Sequence, residues 1–176
     1  MNKSELRKLF KTKRNTLDID KLSEKIVNNL FELDVFINAK NICTYISFGN
    51  EINTQKILNL KNKNIYAPKI INDKIIMVKY NPNNLSPNKY SILEPINNEI
   101  YLPQEQDVIV VPALSCDKNF NRLGYGGGFY DEYLKNTNSV KVSLLPNALL
   151  SDNLPTEPHD KKIDIIITET DIFKQH

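Results

Sequence analysis

The stretch that decides the fold is DVIVVPALSCDKNFNRLGYGGGFYDEYL, residues 107–134. Its first six residues are almost wholly apolar, which is typical of a central strand that is buried on both faces. A loop follows, and a glycine-rich turn at residues 124–128 leads into a helix that we predict from Phe129 to Leu134. Because ligands of open α/β sheets bind at the carboxyl ends of the strands, this order predicts a binding site at the glycine turn.

Helical and extended patterns alternate around this stretch. Apolar spacing predicts helices over residues 3–16 and 19–36, and a short helix that Thr54 caps and that runs through Leu60. Apolar, β-branched and aromatic runs predict further strands at residues 41–47, 65–67, 74–80, 140–145 and 163–168. Residues 81–106 contain four prolines, and we predict mainly loop there with short extended pieces. The order indicates an α/β fold: a three-layer α/β/α sandwich with a mostly parallel central sheet.

Length and composition exclude several classes of protein. The 176 residues suit one domain over 1–176, and a hydrophobic content of 40% with 25% charged residues excludes a disordered chain. No apolar run approaches the roughly 18 residues of a membrane span, and the first residues lack the apolar region of a secretory signal. Two cysteines and a net charge of +2 argue against a disulfide scaffold and give no sign of nucleic-acid binding. We expect a cytoplasmic monomer that acts on a small molecule, without nucleic-acid or membrane partners.

Glycine is scarce and concentrated in one place. Average usage predicts about twelve glycines, whereas the chain has 5, four of which lie within residues 124–128. Glycine permits positive φ and close approach to backbone N–H groups, and a helix start offers unpaired N–H donors, so the cluster suits an anion such as phosphate. Arg122 before it is a fork donor for phosphate, and Asp131 after it suits Mg²⁺. A purely structural turn is the alternative.

The glycine turn matches neither of the two common nucleotide-binding motifs. It lacks the Gly-Lys-Ser/Thr ending of a P-loop, and Phe129 stands where a dinucleotide fingerprint has its third glycine. The pattern therefore predicts an anion site of another type.

Arginine is also scarce in this chain. Only Arg7, Arg14 and Arg122 are arginine among 23 basic residues, a bias typical of an AT-rich genome. Arginine would survive such a bias where a planar bidentate donor is required, since lysine cannot reproduce that geometry. Chance survival is the alternative for each of them.

Residues 122–131 resemble the signature of the 5-formyltetrahydrofolate cyclo-ligases, also called methenyltetrahydrofolate synthetases. The resemblance extends to residues 3–7, 48–52, 92–95, 107–114 and 154–164. It implies a fold of the NagB/RpiA/CoA-transferase-like kind. It also implies that the protein converts 5-formyltetrahydrofolate to 5,10-methenyltetrahydrofolate while ATP and Mg²⁺ are used and ADP and phosphate are released.

The resemblance also implies roles for individual residues. The expected catalytic residues are Arg122 and Lys3, and the expected magnesium ligands are Asp131 and Asp164. The folate contacts would be Ile46, Glu51, Tyr125, Gly126, Gly127, Gly128 and Phe129. The ATP contacts would be Lys3, Ser4, Glu5, Leu6, Arg7, Arg122, Leu123, Gly124, Tyr125, Gly126, Gly127, Gly128, Phe129 and Tyr130.

The implied reaction explains these residue types. Phosphorylation of the formyl oxygen would give an iminophosphate, after which N10 attacks the same carbon and phosphate leaves. Phosphoryl transfer needs positioning and cancellation of charge rather than a protein nucleophile. Cations, backbone amides and Mg²⁺ meet that need.

The chain departs from the family pattern at two places. Some members carry lysine where this chain has Gly127, so the cation for the γ-phosphate would come from elsewhere, with Lys3 or Arg122 as candidates. Many members have a tyrosine and a glutamine after the strand that ends near Leu145, whereas residues 145–149 here are Leu-Pro-Asn-Ala-Leu. Contacts from that stretch are therefore in question.

Two other functions stay open on the residues alone. A sugar-phosphate isomerase or acyl-CoA enzyme would need a catalytic carboxylate or histidine, and a nucleotide- or RNA-binding module would use the basic first helix. We expect Cys116 to be a small buried hydrophobe and His159 to be a loop residue. Asp164 beside a buried strand requires a partner such as a cation, because burial of a lone carboxylate is costly.

Overall fold

The computed structural model of the protein describes residues 1–105 and 107–175. Its helices are α1 (Lys3–Arg14), α2 (Ile19–Phe31), α3 (Asp34–Asn38), α4 (Gln55–Leu58) and α5 (Phe129–Leu134), with a 3₁₀ turn at Asn147–Leu149. Within the described residues, no helix combines the length and the apolar character that crossing a membrane requires.

The strands are short and are spread along the whole chain. Those of the first half are β1 (Asn41–Thr44), β2 (Asn64–Ile71), β3 (Lys74–Lys79), β4 (Leu85–Pro87), β5 (Leu93–Pro95) and β6 (Ile100–Tyr101). Those of the second half are β7 (Val108–Val110), β8 (Ser115–Asp117), β9 (Arg122–Leu123), β10 (Val140–Leu144), β11 (Leu150–Ser151), β12 (Ile165–Ile167) and β13 (Ile172–Lys174).

Eight strands form the central sheet in the order β13-β12-β10-β7-β1-β2-β3-β6. The five strands from β12 to β2 in this order run parallel, whereas the pairs β12–β13, β2–β3 and β3–β6 towards the two edges are antiparallel. The apolar run at 107–112 provides β7, which is hydrogen-bonded on both sides and fully buried. The predicted α/β fold with a mostly parallel central sheet is confirmed.

Alternate residues of β7 pack into two different apolar clusters, one on each face of the sheet. Val108 and Val110 belong to the cluster that includes residues of α2, α3 and α4. Ile109 belongs to the cluster that includes residues of α1 and α5 and of the small sheet β11-β8-β9. The second outer layer is therefore part helix and part sheet, and α1 and α5 lie on the same side.

The predicted helix over residues 19–36 is divided. Leu33 has an extended backbone (φ −77°, ψ 128°) between α2 and α3, and its side chain is buried. The division also lets the rings of Phe31 and Phe36 stack with centroids 5.4 Å apart. Burial of these side chains outweighs the continuous helical pattern, as tertiary packing often does.

Two further expectations needed correction. The strand predicted at 41–47 ends at Thr44, and Thr54 does not cap α4 through its side chain. Its hydroxyl donates instead to the carbonyl of Tyr45, 2.7 Å away, and so ties the chain after β1 to the start of α4. Residues 81–105 contain the short strands β4, β5 and β6, in line with the predicted extended pieces; residue 106 lies outside the described residues.

Candidate functional site

A cavity of about 740 Å³ opens at the carboxyl ends of the parallel strands. Tyr45 and Ile46 follow β1, Pro112 follows β7 and Pro68 lies in β2, and all four line it. The glycine turn, which we call the glycine loop (residues 124–128), forms one wall. The cavity therefore lies at the edge of the sheet where the sequence predicted a binding site.

Asp117 shapes the β8–β9 hairpin that leads into the glycine loop. Its buried carboxylate accepts hydrogen bonds from the backbone N–H groups of Asn119 and Asn121, from the Asn121 amide and from the N–H of Leu154, at 2.9 Å each. These bonds satisfy a carboxylate that would otherwise be costly to bury. Its role is to hold the turn that places Arg122 in β9, opposite Cys116.

Arg122 lies beneath the loop, with a side chain that is only 4% exposed. Nη1 donates to the Pro112 carbonyl at 3.0 Å, and Nη2 donates to Asp131 Oδ2 at 2.9 Å. A Cβ on Gly124 would stand 2.7 Å from Nη1, so glycine is required for this approach. Arg122 is therefore a fork donor, as predicted, but its acceptors are a carbonyl and a carboxylate of the protein.

Arg7 contacts the same loop from α1. Its Nε donates to the carbonyl of Gly124 at 3.0 Å, and a Cβ on Gly126 would lie 3.4 Å from its Nε and Cζ. Gly126 and Gly128 have φ of +107° and +69°, a region that glycine enters without strain. Within the described residues, Nε is the only nitrogen of Arg7 that donates to the protein. The terminal nitrogens are left for a ligand.

Helix α5 contributes less to anion binding than the sequence suggested. It spans only Phe129–Leu134, six residues, so few peptide dipoles add up behind its first turn. The positive charge at the loop therefore comes from side chains.

Arg14 also reaches the glycine loop, although no role in the site was predicted for it. Its Nη1 donates to the Tyr125 hydroxyl at 2.8 Å and its Nη2 to the Ala113 carbonyl at 2.6 Å. All three arginines of the chain therefore converge on one loop. The scarcity of arginine was the one sequence feature that pointed to Arg14.

Glu51 lies behind Tyr125 on the turn after β1. Its Oε2 accepts the N–H of Phe48 at 2.9 Å. Burial raises the pKa of this carboxyl, while the Phe48 N–H, the Tyr125 hydroxyl and Arg14 act in the opposite direction. Burial likewise raises the pKa of Tyr125, and Glu51 adds to that shift.

Lys3 meets an acidic group at another part of the cavity. Its Nζ donates to both carboxylate oxygens of Asp160, at 2.9 and 2.6 Å, and lies 3.3 Å from Glu157 Oε2. His159 is exposed beside them, 3.2 Å from Glu157. Although burial raises the pKa of Asp160, hydrogen bonds from Lys3 and from the Glu157 N–H outweigh it and hold that pKa below its usual value.

The two predicted metal ligands are not brought together. Asp131 lines the cavity, and among the described residues its Oδ1 accepts only the Lys161 N–H, at 3.3 Å, so this oxygen has lone pairs available for a cation. Asp164 is not among the described lining residues and precedes β12, at the amino end of that strand. Its Oδ2 accepts the backbone N–H of Lys141 and pairs with the Lys141 ammonium, both at 2.8 Å. The cation that pairs with Asp164 is therefore supplied by the chain itself.

Three of the expected ATP contacts lie in α1 and are not among the described residues that line the cavity. Ser4 is exposed, Leu6 is in the core, and the carboxylate of Glu5 accepts the Asn2 N–H at 2.8 Å in a capping box. The remaining expected contacts line the cavity: Lys3, Arg7, Ile46, Glu51 and every residue from Arg122 to Tyr130.

An apolar wall faces the glycine loop, and the sequence did not identify it. The turn between β4 and β5 places Tyr90, Ile92 and Leu93 on the cavity, and Tyr90 packs edge-on against Phe129 with centroids 6.5 Å apart. Asn88 fixes this turn, since its side-chain oxygen accepts the N–H groups of Tyr90 and Ile92. The asparagine- and proline-rich composition of this region predicted mainly loop and did not indicate that its side chains line the cavity.

Cys116 is buried, as expected, and burial raises the pKa of its thiol to about 12. It stays protonated near neutral pH and offers no nucleophile.

Comparison with known proteins agrees with this geometry. The sequence model of the 5-formyltetrahydrofolate cyclo-ligase family matches residues 1–169. The 5-formyltetrahydrofolate cyclo-ligase of Haemophilus influenzae is 32% identical over 178 positions, which cover 94% of this chain and 95% of that protein.

Solved structures share the fold. The NMR structure of Aquifex aeolicus 5,10-methenyltetrahydrofolate synthetase superposes with a TM-score of 0.88 at 31% identity and covers 99% of this chain and 93% of that one. A Mycoplasma pneumoniae 5,10-methenyltetrahydrofolate synthetase gives a TM-score of 0.74 at 24% identity, over 96% and 99% of the two chains, which supports the fold alone. The family match spans the glycine loop, α1 and the acidic group. This chain therefore belongs to the 5-formyltetrahydrofolate cyclo-ligase family.

Proposed function

We propose that the protein converts 5-formyltetrahydrofolate to 5,10-methenyltetrahydrofolate, with ATP cleaved to ADP and phosphate in the presence of Mg²⁺. The observation that carries the proposal is the division of one cavity into a wall with arginines at a glycine loop and an apolar aromatic wall. Phosphate groups suit the first wall, and the flat rings of a folate suit the second. The family match and the names of the relatives support the same reaction.

Arg7 is the cation that we assign to the transferring phosphoryl group. Lys3 is paired with Asp160, and Arg122 is buried and paired with Asp131. Arg7 has terminal nitrogens that donate to no described residue, and it lies directly on Gly126. It therefore replaces the candidates that the sequence favoured, and it takes the role of the lysine that some relatives carry in the loop.

Asp131 could supply one of the oxygen ligands that Mg²⁺ requires. Its Oδ1 is available while Oδ2 holds Arg122, and oxygen ligands suit this hard cation. Phosphate oxygens would supply further ligands, as in other phosphoryl-transfer sites. Asp164 is left out of the site because Lys141 occupies its carboxylate.

The residues of the chain act through position and charge. Bound ATP supplies the phosphoryl group that makes the formyl oxygen a leaving group, so that the folate passes through an iminophosphate before N10 closes the ring. Arg7 orients and neutralises the phosphates, Glu51 and Tyr125 hold the folate, and the apolar wall excludes water. The mechanism requires no covalent protein intermediate.

The test is an absorbance assay for the methenyl product with 5-formyltetrahydrofolate, ATP and Mg²⁺. We expect product only when all three are present, and ADP in a one-to-one ratio to it. Absence of product above the enzyme-free blank would refute the function. Product without ATP would refute the phosphoryl-transfer mechanism and leave the cyclisation standing.

A further inference from the structure

Arg14 is a buried cation that does not itself line the cavity. It is the last residue of α1 and is 4% exposed, and it is not among the described lining residues. Its Nη2 donates to the carbonyls of Ala113 and Leu114, at 2.6 and 3.4 Å, and these residues follow β7. Burial of an unpaired guanidinium is costly, so the position of Arg14 demands an explanation in terms of its partners.

The other arm of the guanidinium holds Tyr125. Nη1 lies 2.8 Å from the Tyr125 hydroxyl, and a guanidinium can only donate, so the hydroxyl oxygen accepts. The single proton of that hydroxyl is then left to point elsewhere. Glu51 lines the same cavity, and the Tyr125 hydroxyl and Arg14 both act to lower the pKa of its carboxyl, against the effect of burial.

We infer that Arg14 is a positioning residue for the folate: it fixes the hydroxyl of Tyr125, a glycine-loop side chain that lines the cavity. The inference rests on the proposed function, because Glu51 and Tyr125 are the assigned folate contacts. Arg14 touches no substrate, whereas Tyr125 and Glu51 line the cavity. The planar fork is essential, since it spans a backbone carbonyl after β7 and a side chain in the glycine loop at the same time.

The test compares Arg14→Lys, Tyr125→Phe and the double variant. An ammonium cannot span both acceptors, so we expect Arg14→Lys and Tyr125→Phe each to raise KM for 5-formyltetrahydrofolate about tenfold. KM for ATP should change by less than about twofold. The double variant should have a folate KM no higher than that of the more impaired single variant, because both changes break the same hydrogen bond. Lys13→Gln, on the exposed neighbour of Arg14, is the matched control and should leave both KM values unchanged.

A merely structural Arg14 would give a different result. Arg14→Lys would then lower the thermal midpoint with folate KM unchanged, or its effect would multiply with that of Tyr125→Phe, and either outcome overturns the inference. Should Arg14→Lys fail to fold, Tyr125→Phe decides: a folate KM that this variant leaves unchanged refutes the inference, because the hydrogen bond from Arg14 then positions nothing that the folate contacts.

Equilibrium binding of 5-formyltetrahydrofolate, followed by tyrosine fluorescence, repeats the comparison without catalysis. A wild-type protein that binds the folate but makes no methenyl product would refute the proposed reaction alone. A folate affinity that Arg14→Lys leaves unchanged would refute the positioning role alone.

Discussion

The ring of Phe129 lies where a side chain at Gly127 would have to lie: a Cβ there would come within 2.8 Å of ring atoms Cδ2 and Cε2. Position 127 can therefore carry a side chain only if the Phe129 ring, which packs against Tyr90, shifts from its place. Glycine at position 127 and the packing of Phe129 against Tyr90 in the apolar wall therefore depend on each other.

The first prediction concerns this pair. Gly127→Ala should raise KM for 5-formyltetrahydrofolate and destabilise the fold by about 1–3 kcal/mol, because the new methyl group displaces the Phe129 ring. Steady-state kinetics and urea unfolding measure the two effects. In a Phe129→Ala background the same substitution should cost little. A full effect of Gly127→Ala in that background would disprove the steric explanation.

The second prediction separates the two acids that were expected to bind magnesium. Asp131→Asn should raise the Mg²⁺ concentration for half-maximal activity about tenfold, because one anionic ligand is lost. It should also lower stability by about 2 kcal/mol, since the buried Arg122 loses its counter-charge. A titration of activity against Mg²⁺ and a urea unfolding curve measure these effects.

Asp164→Asn is the matched control for that experiment. Its carboxylate pairs with Lys141 away from the cavity, so the substitution should affect stability and leave the Mg²⁺ titration as in the wild type. A shifted titration for Asp164→Asn, or an unshifted one for Asp131→Asn, would contradict the placement described above.

The third prediction follows from the raised pKa of Glu51. The folded state holds this proton more tightly than the unfolded chain, so the group's contribution to the unfolding free energy is largest at low pH and is lost as pH rises through the folded pKa. Glu51→Gln removes the ionisable group, so the variant does not lose unfolding free energy as pH rises through the folded pKa. Its thermal midpoint should exceed that of the wild type at pH 7.5, and the difference should shrink below the ordinary carboxyl pKa of 4.5. The same variant should bind 5-formyltetrahydrofolate more weakly. A difference in midpoint that is independent of pH would contradict the origin of the shift.

The fourth prediction uses the lowered pKa of Asp160. Because this carboxyl has a depressed pKa in the folded state, the pair with Lys3 stabilises the fold above the unfolded pKa of about 3.8 and loses its effect as pH falls through the folded value. Lys3→Met should cost about 1 kcal/mol at pH 7, and this cost should vanish in acid. Thermal unfolding between pH 3 and pH 7 gives the comparison. Lys13→Gln, an exposed lysine of the same helix, should show no such pH dependence.

The sequence was most informative where local chemistry decides structure. The apolar run before residue 112 predicted the central strand, and the glycine cluster predicted a loop of unusual backbone at the correct sheet edge. The sequence did not reveal contacts between residues that are far apart in the chain. Arg14 acts on Tyr125, 111 residues away, and nothing in its neighbourhood indicates that.

Asp164 illustrates a different limit of sequence interpretation. A cation does lie beside Asp164, but the pattern does not distinguish metal from ammonium, and a side chain that is 37% exposed does not require a partner because of burial. Asp164 stands before β12, and parallel strands place that end away from the cavity, so the nearest cation is Lys141. Its position relative to the strand direction would have excluded it. The monomeric state and the cytoplasmic location stay predictions.

The attachment of α1 to the glycine loop has a consequence for synthesis. Arg14 is made 111 residues before the tyrosine that it holds, an interval of roughly 5–20 s at ordinary rates of protein synthesis. During that interval Leu6 and Phe10 of α1 lack the part of their apolar cluster that later residues such as Leu134 and Leu145 provide. A chain that ends before the glycine loop therefore leaves part of this apolar surface exposed, and such surfaces are recognised by chaperones and proteases. The site forms only when the last third of the chain emerges.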